Sequence, residues 1–449
     1  MSFSPKRFVL AIAVAGLLAA PGFVVAQAQD AAQPGSSAQP AENGQKTQKN
    51  WKDRDEYDLE QNAAKETDPN KKLDFLNTWK TKYPTSDFKE LREQLFLATY
   101  VSLNKAQDAV NTAKDMLAND PKNFSALYYI TLLVPRITPV TPENLDSGQK
   151  AATGLLANLD TKPATIPDAQ WTNVRKDAEA TGHTTLGWIA MQQKNNEVAE
   201  SEFTKSLQVN PNASQVSYWL GTVILGEKNP EKQSAALYDF ARAASYDGPG
   251  SLNPAGRAEI QTYLEKAYIT YHGSKDGLDQ LLAQAKTAAL PAADFKVMST
   301  ADIAKAKVEK ENALMQSDPS LALWKNLKAQ LTGDNGQTYF SSNMKGAAIP
   351  GGVNGIKGFT GVLISEEPAT HPKTLVLSVE DGTTPDATIK LAEALPGKAD
   401  PGTKITFSGV ADSFTANPFM ITFNVEKKNL SGWTGKDETH HAPARRRRR

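Results

Sequence analysis

The chain contains no cysteine and only five histidines. The lack of cysteine excludes disulfides, thiolate zinc sites, a cysteine nucleophile and a lipid-modified cysteine behind a leader. The histidines form no His-Glu-x-x-His arrangement, and a Gly-x-Ser-x-Gly nucleophile elbow is absent. We therefore expect no metal, no other cofactor and no enzymatic activity, because no nucleophile, base and orienting group come together in the sequence. The histidines are His183, His272, His371, His440 and His441.

Net charge is also absent, since 50 basic residues balance 50 acidic ones. The balance is uneven along the chain. Lys6 and Arg7 lie in an N-terminal segment without acids, and the last five residues, Arg445–Arg449, are all arginine. Without these seven cations the rest of the chain is acidic. Nucleic-acid binding is therefore not expected, because it requires a basic face.

Residues 1–28 have the pattern of a secretory signal peptide. The basic pair is followed by an apolar run, Phe8–Ala20, and Ala26-Gln27-Ala28 is a small-x-small cleavage pattern, so cleavage is predicted near Ala28. The alternative is an uncleaved membrane anchor. Pro21-Gly22 interrupts the run and leaves it short of the ~20 residues that a membrane span requires. We expect the protein to be exported and to be periplasmic or secreted.

Helical spacing begins at Trp51, after a polar segment, 29–50, that is predicted to be a flexible linker. The clearest pattern comprises paired helices that end before a proline. Its steric markers are Leu186, Gly187, Ala199, Phe203 and Pro211. The Leu-Gly pair recurs 34 residues later as Leu220 and Gly221. This period is typical of a helix–turn–helix unit that stacks on copies of itself.

These residues resemble the tetratricopeptide repeat (TPR), over residues 51–292. The resemblance implies a mainly α protein whose helix hairpins form a solenoid. Two further helices within 293–333 are interpreted as caps of this array. In TPR proteins the first helix of each hairpin lines a concave groove. The residues that this implies for the groove are Tyr128, Thr184, Trp188, Tyr218 and Thr222. The alternative for Trp188 and Tyr218 is packing between helices.

Glycine-rich and strand-like sequence follows the helices. Residues 334–355 are predicted to be a linker, and 356–430 contain five short alternating runs typical of a small β-barrel. These runs resemble OB-fold families, with an immunoglobulin-like sandwich as the alternative. Four phenylalanines could stack nucleobases or could fill the barrel interior instead. Residues 431–449 are predicted to be a disordered, arginine-rich tail. The phenylalanines are Phe359, Phe407, Phe419 and Phe423.

The sequence therefore predicts a non-enzymatic extracytoplasmic scaffold that binds other envelope proteins or peptides through its helical groove. The alternative is nucleic-acid or glycan binding by the barrel. This scaffold prediction rests on the fold resemblance alone, and because a fold does not determine a function, the role must be argued from a site.

The arginine tail, Arg445–Arg449, leads to a first prediction. Each arginine near an anionic lipid surface contributes at most ~1 kcal/mol. Deleting the five arginines should weaken co-sedimentation with anionic vesicles and leave neutral vesicles unaffected. Equal sedimentation of the intact and shortened chains would show that the tail does not hold anionic lipid.

Overall fold

The computed structural model describes residues 49–352 and 355–437, which divide into two compact units at Thr300. The predicted signal peptide, all of the predicted linker except Lys49 and Asn50, and the five C-terminal arginines lie outside the described residues. In the described part, no helix is long and apolar enough to cross a membrane.

The first unit is built from consecutive α-helices joined by short turns. Two 3-10 turns, Val134–Arg136 and Pro230–Lys232, interrupt the connections. The helices are α1 (Arg54–Lys65), α2 (Pro69–Lys82), α3 (Lys89–Ser102), α4 (Ala106–Asn119), α5 (Phe124–Leu133), α6 (Pro142–Ala157), α7 (Asp168–Gln192), α8 (Asn196–Val209), α9 (Ser214–Gly226), α10 (Gln233–Ser245), α11 (Pro254–His272) and α12 (Leu278–Thr287).

Each helix up to α11 packs against the next along the chain, and the first helices of successive hairpins also touch. Thus α1 contacts α3, α5 contacts α7, and α7 contacts α9. The prediction of stacked helical hairpins is confirmed. The last predicted pair differs, because α12 packs mainly on α10 rather than on α11.

The close approach of α7 and α8 depends on Gly187. A Cβ added there would lie 2.6 Å from Cδ1 of Phe203, whose side chain is fully buried. Gly221 has the same role in the next hairpin, where an added Cβ would meet the Ala236 carbonyl and the Phe240 ring at 3.1–3.2 Å. Ala199 is also fully buried, whereas Leu186, another marker of the repeat, is only half-buried.

Two buried arginines join helix ends to their neighbours. Arg92 on α3 donates to the carbonyls of Trp79 and Tyr83 at the end of α2. Arg242 on α10 donates to two carbonyls of the last turn of α12 and to the carbonyl of Pro211. The last carbonyls of a helix have no partner within the helix, and cations are favoured there. These contacts explain why α12 lies on α10.

The second unit combines helices with an eight-stranded sheet in its described residues. A π-helical turn, Phe340–Met344, follows α15, and a 3-10 turn, Lys427–Asn429, precedes β8. The helices are α13 (Thr300–Ser317), α14 (Pro319–Thr332) and α15 (Gly336–Tyr339). The strands are β1 (Ala348–Ile349), β2 (Phe359–Glu367), β3 (Thr374–Ser378), β4 (Ala387–Leu391), β5 (Lys404–Phe407), β6 (Gly409–Ala416), β7 (Phe419–Val425) and β8 (Leu430–Ser431).

The sheet has the order β1-β6-β7-β4-β3-β2-β5-β8 and curls on itself. Ser408 alone separates β5 from β6, although these strands lie near opposite ends of the order. β4 and β7 pair in parallel, and all other neighbours are antiparallel. Alternate residues point inward, so that Ile421, Phe423 and Val425 are buried while Asn424 is exposed. The inward-pointing apolar residues of the strands thus form one core.

Helix α14 packs into this core. Trp324 is fully buried against Phe359 and Phe423, and its Nε1 donates to Asp386 Oδ2 at 2.9 Å. Asp386 also accepts from the backbone amides of Val379 and Glu380. The helix is therefore part of the second unit's core.

Several predicted boundaries are wrong. The caps expected within 293–333 do not form, because α13 buries no residue and α14 belongs to the sheet core. The predicted linker 334–355 contributes Phe340 and Met344 to the same core. The predicted tail 431–449 begins inside the unit, since Trp433 Nε1 donates to the Pro396 carbonyl.

The glycine contact in the first unit leads to a second prediction. Gly187→Ala should destabilise the unit by about 1–3 kcal/mol, the typical cost of overpacking, because the buried Phe203 ring cannot move away. Gly226→Ala is the matched control. Its Cβ would meet only the Asn196 side-chain amide, and a helical alanine is favoured over glycine. Urea unfolding measures both; equal stability of the two variants would contradict the prediction.

Candidate protein-binding surface

Two predicted groove residues, Tyr218 and Thr222, are accessible and lie beside a third residue, Tyr263, that was not predicted. Tyr218 is half-buried on α9, Thr222 is exposed one turn later, and Tyr263 on α11 is 46% exposed. Both tyrosine rings contact the edge or face of Phe240, with ring centroids 5.9 Å and 5.1 Å away. We name Tyr218, Thr222 and Tyr263 the tyrosine patch.

The tyrosine patch is held in place from beneath. Phe240 is 2% exposed, and it orients both tyrosines by T-shaped contacts. The Thr222 hydroxyl donates to the Tyr218 carbonyl at 2.8 Å, which occupies that hydrogen. Burial raises the pKa of Tyr218, and burial with the nearby Tyr218 raises the pKa of Tyr263. Both phenols therefore stay neutral hydrogen-bonding groups at ordinary pH.

Two other predicted groove residues, Trp188 and Tyr128, are buried, and a third, Thr184, is half-buried. Trp188 is only 7% exposed, and Tyr128 is 3% exposed. The Tyr128 hydroxyl donates to Asp177 Oδ2 at 2.5 Å and thereby joins α5 to α7. The Thr184 hydroxyl lies 2.7 Å from the buried Ser206 hydroxyl of α8. The burial of Trp188 and Tyr128 contradicts their assignment to the groove, whereas for Thr184 that assignment stays a prediction.

Tyr263 was missed because α11 does not carry the repeat markers in register. Its helix is 19 residues long, and the Leu-Gly pair that fixes the register in α7 and α9 is absent there. A signal was nevertheless present in the sequence. Tyr263 precedes Leu264, which is fully buried, and a large aromatic beside a core position can lie at the edge of a helix face.

A separate cleft of about 370 Å³ lies where α1, the start of α2 and α3 meet. Its walls include Ala64, Leu95 and Ala98, and Glu60 also lines it. Because α1 and α3 are the first helices of two hairpins, the cleft belongs to the same class of helix faces as the tyrosine patch.

The barrel phenylalanines are part of its core. Phe359, Phe407 and Phe423 are fully buried and contact one another. Phe419 is half-buried and lies beneath the ammonium group of Lys328, at 5.3 Å. The first three rings therefore cannot stack nucleobases on the surface.

No group of three or more histidine, aspartate or glutamate side chains that could hold a metal ion occurs within residues 49–352 and 355–437. One buried titratable group in these residues, Asp239, lies inside the helical core. Asp239 on α10 is 1% exposed, and its Oδ1 lacks a hydrogen-bond partner among the described atoms. Burial raises its pKa well above the ordinary range, and the nearby Glu200 adds to the effect.

Glu200 itself is paired. Lys232 Nζ lies 2.5 Å from Glu200 Oε2 and 2.7 Å from Glu227 Oε2. These two carboxylates raise the pKa of Lys232 to about 12. Lys232 pairs with both of these partly buried carboxylates, and no ion pair reaches the buried Asp239 within the described chain.

Asp239 gives a third prediction, on stability against pH. Above pH ~4 the unfolded chain releases this proton while the folded chain keeps it, so stability falls as pH rises toward the raised folded pKa. Asp239→Asn should therefore raise the Tm, and the gain should grow as the pH rises above ~4. Each kcal/mol corresponds to ~2–4 °C for a unit of this size.

Calorimetric scans of Asp239→Asn at several pH values make this measurement. Asp74→Asn, which removes one charge from an exposed position of α2, is the control and should leave the pH profile unchanged. A lower Tm for Asp239→Asn at every pH would contradict the prediction.

No protein-family model matches the chain, and no curated protein matches it significantly. Among solved structures, a thermophilic TPR protein of Thermus thermophilus is similar, with a TM-score of 0.25 and 12% sequence identity. The match covers 48% of this chain and 99% of the other. A likeness this weak decides neither fold nor function, so the description of helical hairpins rests on the packing within the chain.

Proposed function

We propose that the protein is a non-enzymatic scaffold that binds other proteins through the faces formed by the first helices of its hairpins. The observation that carries the proposal is the tyrosine patch, an accessible aromatic surface that crosses from α9 to α11. Tyrosine is enriched at protein interfaces because it combines apolar area with a hydroxyl that can find a partner.

The patch is suited to binding because its geometry exists before a partner arrives. Phe240 fixes both rings from below, so that little side-chain freedom is lost when a partner covers them. Side-chain ordering costs about 0.5–1.5 kcal/mol for each side chain immobilised at an interface. A rigid pair of rings thus converts more of the buried area into affinity.

The form of the partner follows from the spacing of helices. The patch extends across two neighbouring first helices rather than along one of them. An extended segment or an amphipathic helix laid across the hairpins could contact both tyrosines and Thr222. We propose such a segment, from another envelope protein, as the partner.

Export to the envelope is part of the proposal and rests on the leader pattern of residues 1–28. The absence of cysteine is compatible with an oxidising compartment, since no thiol is left to be oxidised there.

For the second unit we propose an OB-like barrel with a structural or protein-contact role. The ring order, in which β4 and β7 form the parallel pair and Ser408 joins β5 to β6, supports this topology. Nucleic-acid or glycan binding by this barrel remains the alternative. The burial of Phe359, Phe407 and Phe423 speaks against base stacking as its basis.

The experiment uses a photo-crosslinking amino acid at position 263 in intact cells, followed by mass spectrometry. Crosslinks to a defined set of proteins are expected, and adding Thr222→Glu should remove them because a carboxylate opposes an apolar contact. The matched control is a chain with Ser201→Glu and Gln208→Glu, which add charges to exposed positions of α8, a second helix.

The control should keep the same crosslinked proteins. Circular dichroism melts of all variants establish that the fold is retained, which is expected because each changed position is exposed. If Thr222→Glu leaves the set of crosslinked proteins unchanged, the tyrosine patch is not the binding surface.

A further inference from the structure

The cleft between α1, α2 and α3 contains a buried acid without a cation. Glu60 is 3% exposed, and its Oε2 accepts a hydrogen bond from Gln61 Nε2 at 2.6 Å. Of the described lysines and arginines, none lies within ion-pair distance of the Glu60 carboxylate. Lys72 also lines the cleft, and its ammonium group makes no ion pair with Glu60.

This arrangement is costly for the protein alone. A carboxylate removed from water needs a cation or several hydrogen bonds, and Glu60 has one hydrogen bond from a neutral amide. Burial raises the pKa of Glu60, and the opposing effects of Gln61 and the more distant Lys65 are smaller. A bound cation would supply the missing partner.

Apart from the Lys72 ammonium group and the Thr67 hydroxyl, the rest of the cleft is apolar or hydrogen-bonded within the chain. Ala64, Leu95 and Ala98 present methyl and methylene groups. The Thr99 hydroxyl donates to the Leu95 carbonyl at 2.6 Å, so its hydrogen is committed. A ligand for this cleft therefore carries a positive charge at one end of an apolar stem, as lysine and arginine side chains do.

We infer that the cleft binds a lysine or arginine side chain of a peptide partner, with the cation at Glu60 and the stem against Ala64, Leu95 and Ala98. A divalent metal does not fit this chemistry, because calcium and magnesium take six or more oxygen ligands and the cleft offers one carboxylate. The volume of about 370 Å³ accommodates such a side chain together with part of its backbone.

This inference rests on the proposed protein-binding function and specifies the partner's chemistry at the other end of the helical unit. The cleft and the tyrosine patch both lie on first helices, the cleft on α1 and α3 and the patch on α9 and α11. A partner segment would thus combine a basic residue with an apolar or aromatic one.

The test is a fluorescence-anisotropy titration of the full chain with a labelled peptide. The peptide repeats residues 440–449, which supply five arginines, and its control copy has neutral citrulline in place of each arginine. Saturable binding of the arginine peptide and none of the citrulline peptide is expected. Glu60→Gln should lower the affinity for the arginine peptide about tenfold, since a charge-assisted contact is lost.

Two further variants keep the test decisive. Asp74→Asn removes the same charge from an exposed position and should stay within about twofold of the unchanged chain, which separates the cleft from general charge attraction. Ala98→Trp fills the cleft from an exposed position without altering charge, and it should weaken binding as Glu60→Gln does.

Equal affinities of Glu60→Gln and Asp74→Asn, binding of the citrulline peptide, or no saturable binding by the unchanged chain would each overturn the inference. Changes at Thr222 and position 263 should leave this titration unaltered. If the position-263 crosslinks fail but the arginine peptide still binds the cleft, the inference about the cleft is supported. If the crosslinks form but the arginine peptide does not bind, the inference is overturned and the scaffold proposal stands.

Discussion

The helical unit depends on how closely two helices of a hairpin can approach. At Gly187 the backbone of α7 lies against the ring of Phe203, and Gly221 lies against Phe240 in the next hairpin. A single hairpin buries too little apolar surface to be stable alone, so each must also cover its neighbour. Phe240 shows the connection to function, because it fills the α9–α10 hairpin and also supports Tyr218 and Tyr263 above it. The packing constraint and the candidate surface therefore share one side chain.

Buried polar groups divide into those that complete the fold and those that do not. Arg92 and Arg242 satisfy helix-terminal carbonyls, and Asp386 accepts three hydrogen bonds, of which the one from Trp324 joins α14 to the barrel. Asp239 and Glu60 have no comparable set of partners. A protein keeps such a group at a cost in stability, and unpaired polar groups are commoner where a ligand acts. Glu60 lines an open cleft, whereas Asp239 is enclosed, so only Glu60 can gain a partner from outside.

Sequence patterns predicted the repeats well because the relevant contacts are local. The Gly-Phe contact joins residues 16 positions apart, and its steric requirement is visible in the residue types. The role of α14 was not predictable in the same way. Its apolar stripe with Trp324 would suit the end of a solenoid or the mouth of a barrel equally, and only long-range contacts, such as the hydrogen bond to Asp386 62 residues later, distinguish them. Burial of Trp188 and Tyr128 likewise depends on neighbours in other hairpins, which periodicity does not specify.

The two candidate surfaces differ in chemistry, and this difference bears on specificity. Aromatic area at the α9–α11 end gives affinity but distinguishes apolar partners poorly, since one methylene changes binding by only about 1–3 kcal/mol. A buried carboxylate discriminates more strongly, because a neutral residue in its cleft leaves the charge unpaired. A segment that reaches both surfaces would be held mainly by the tyrosines and selected mainly by Glu60. Such a division would allow a helical array to recognise a defined partner rather than apolar segments in general.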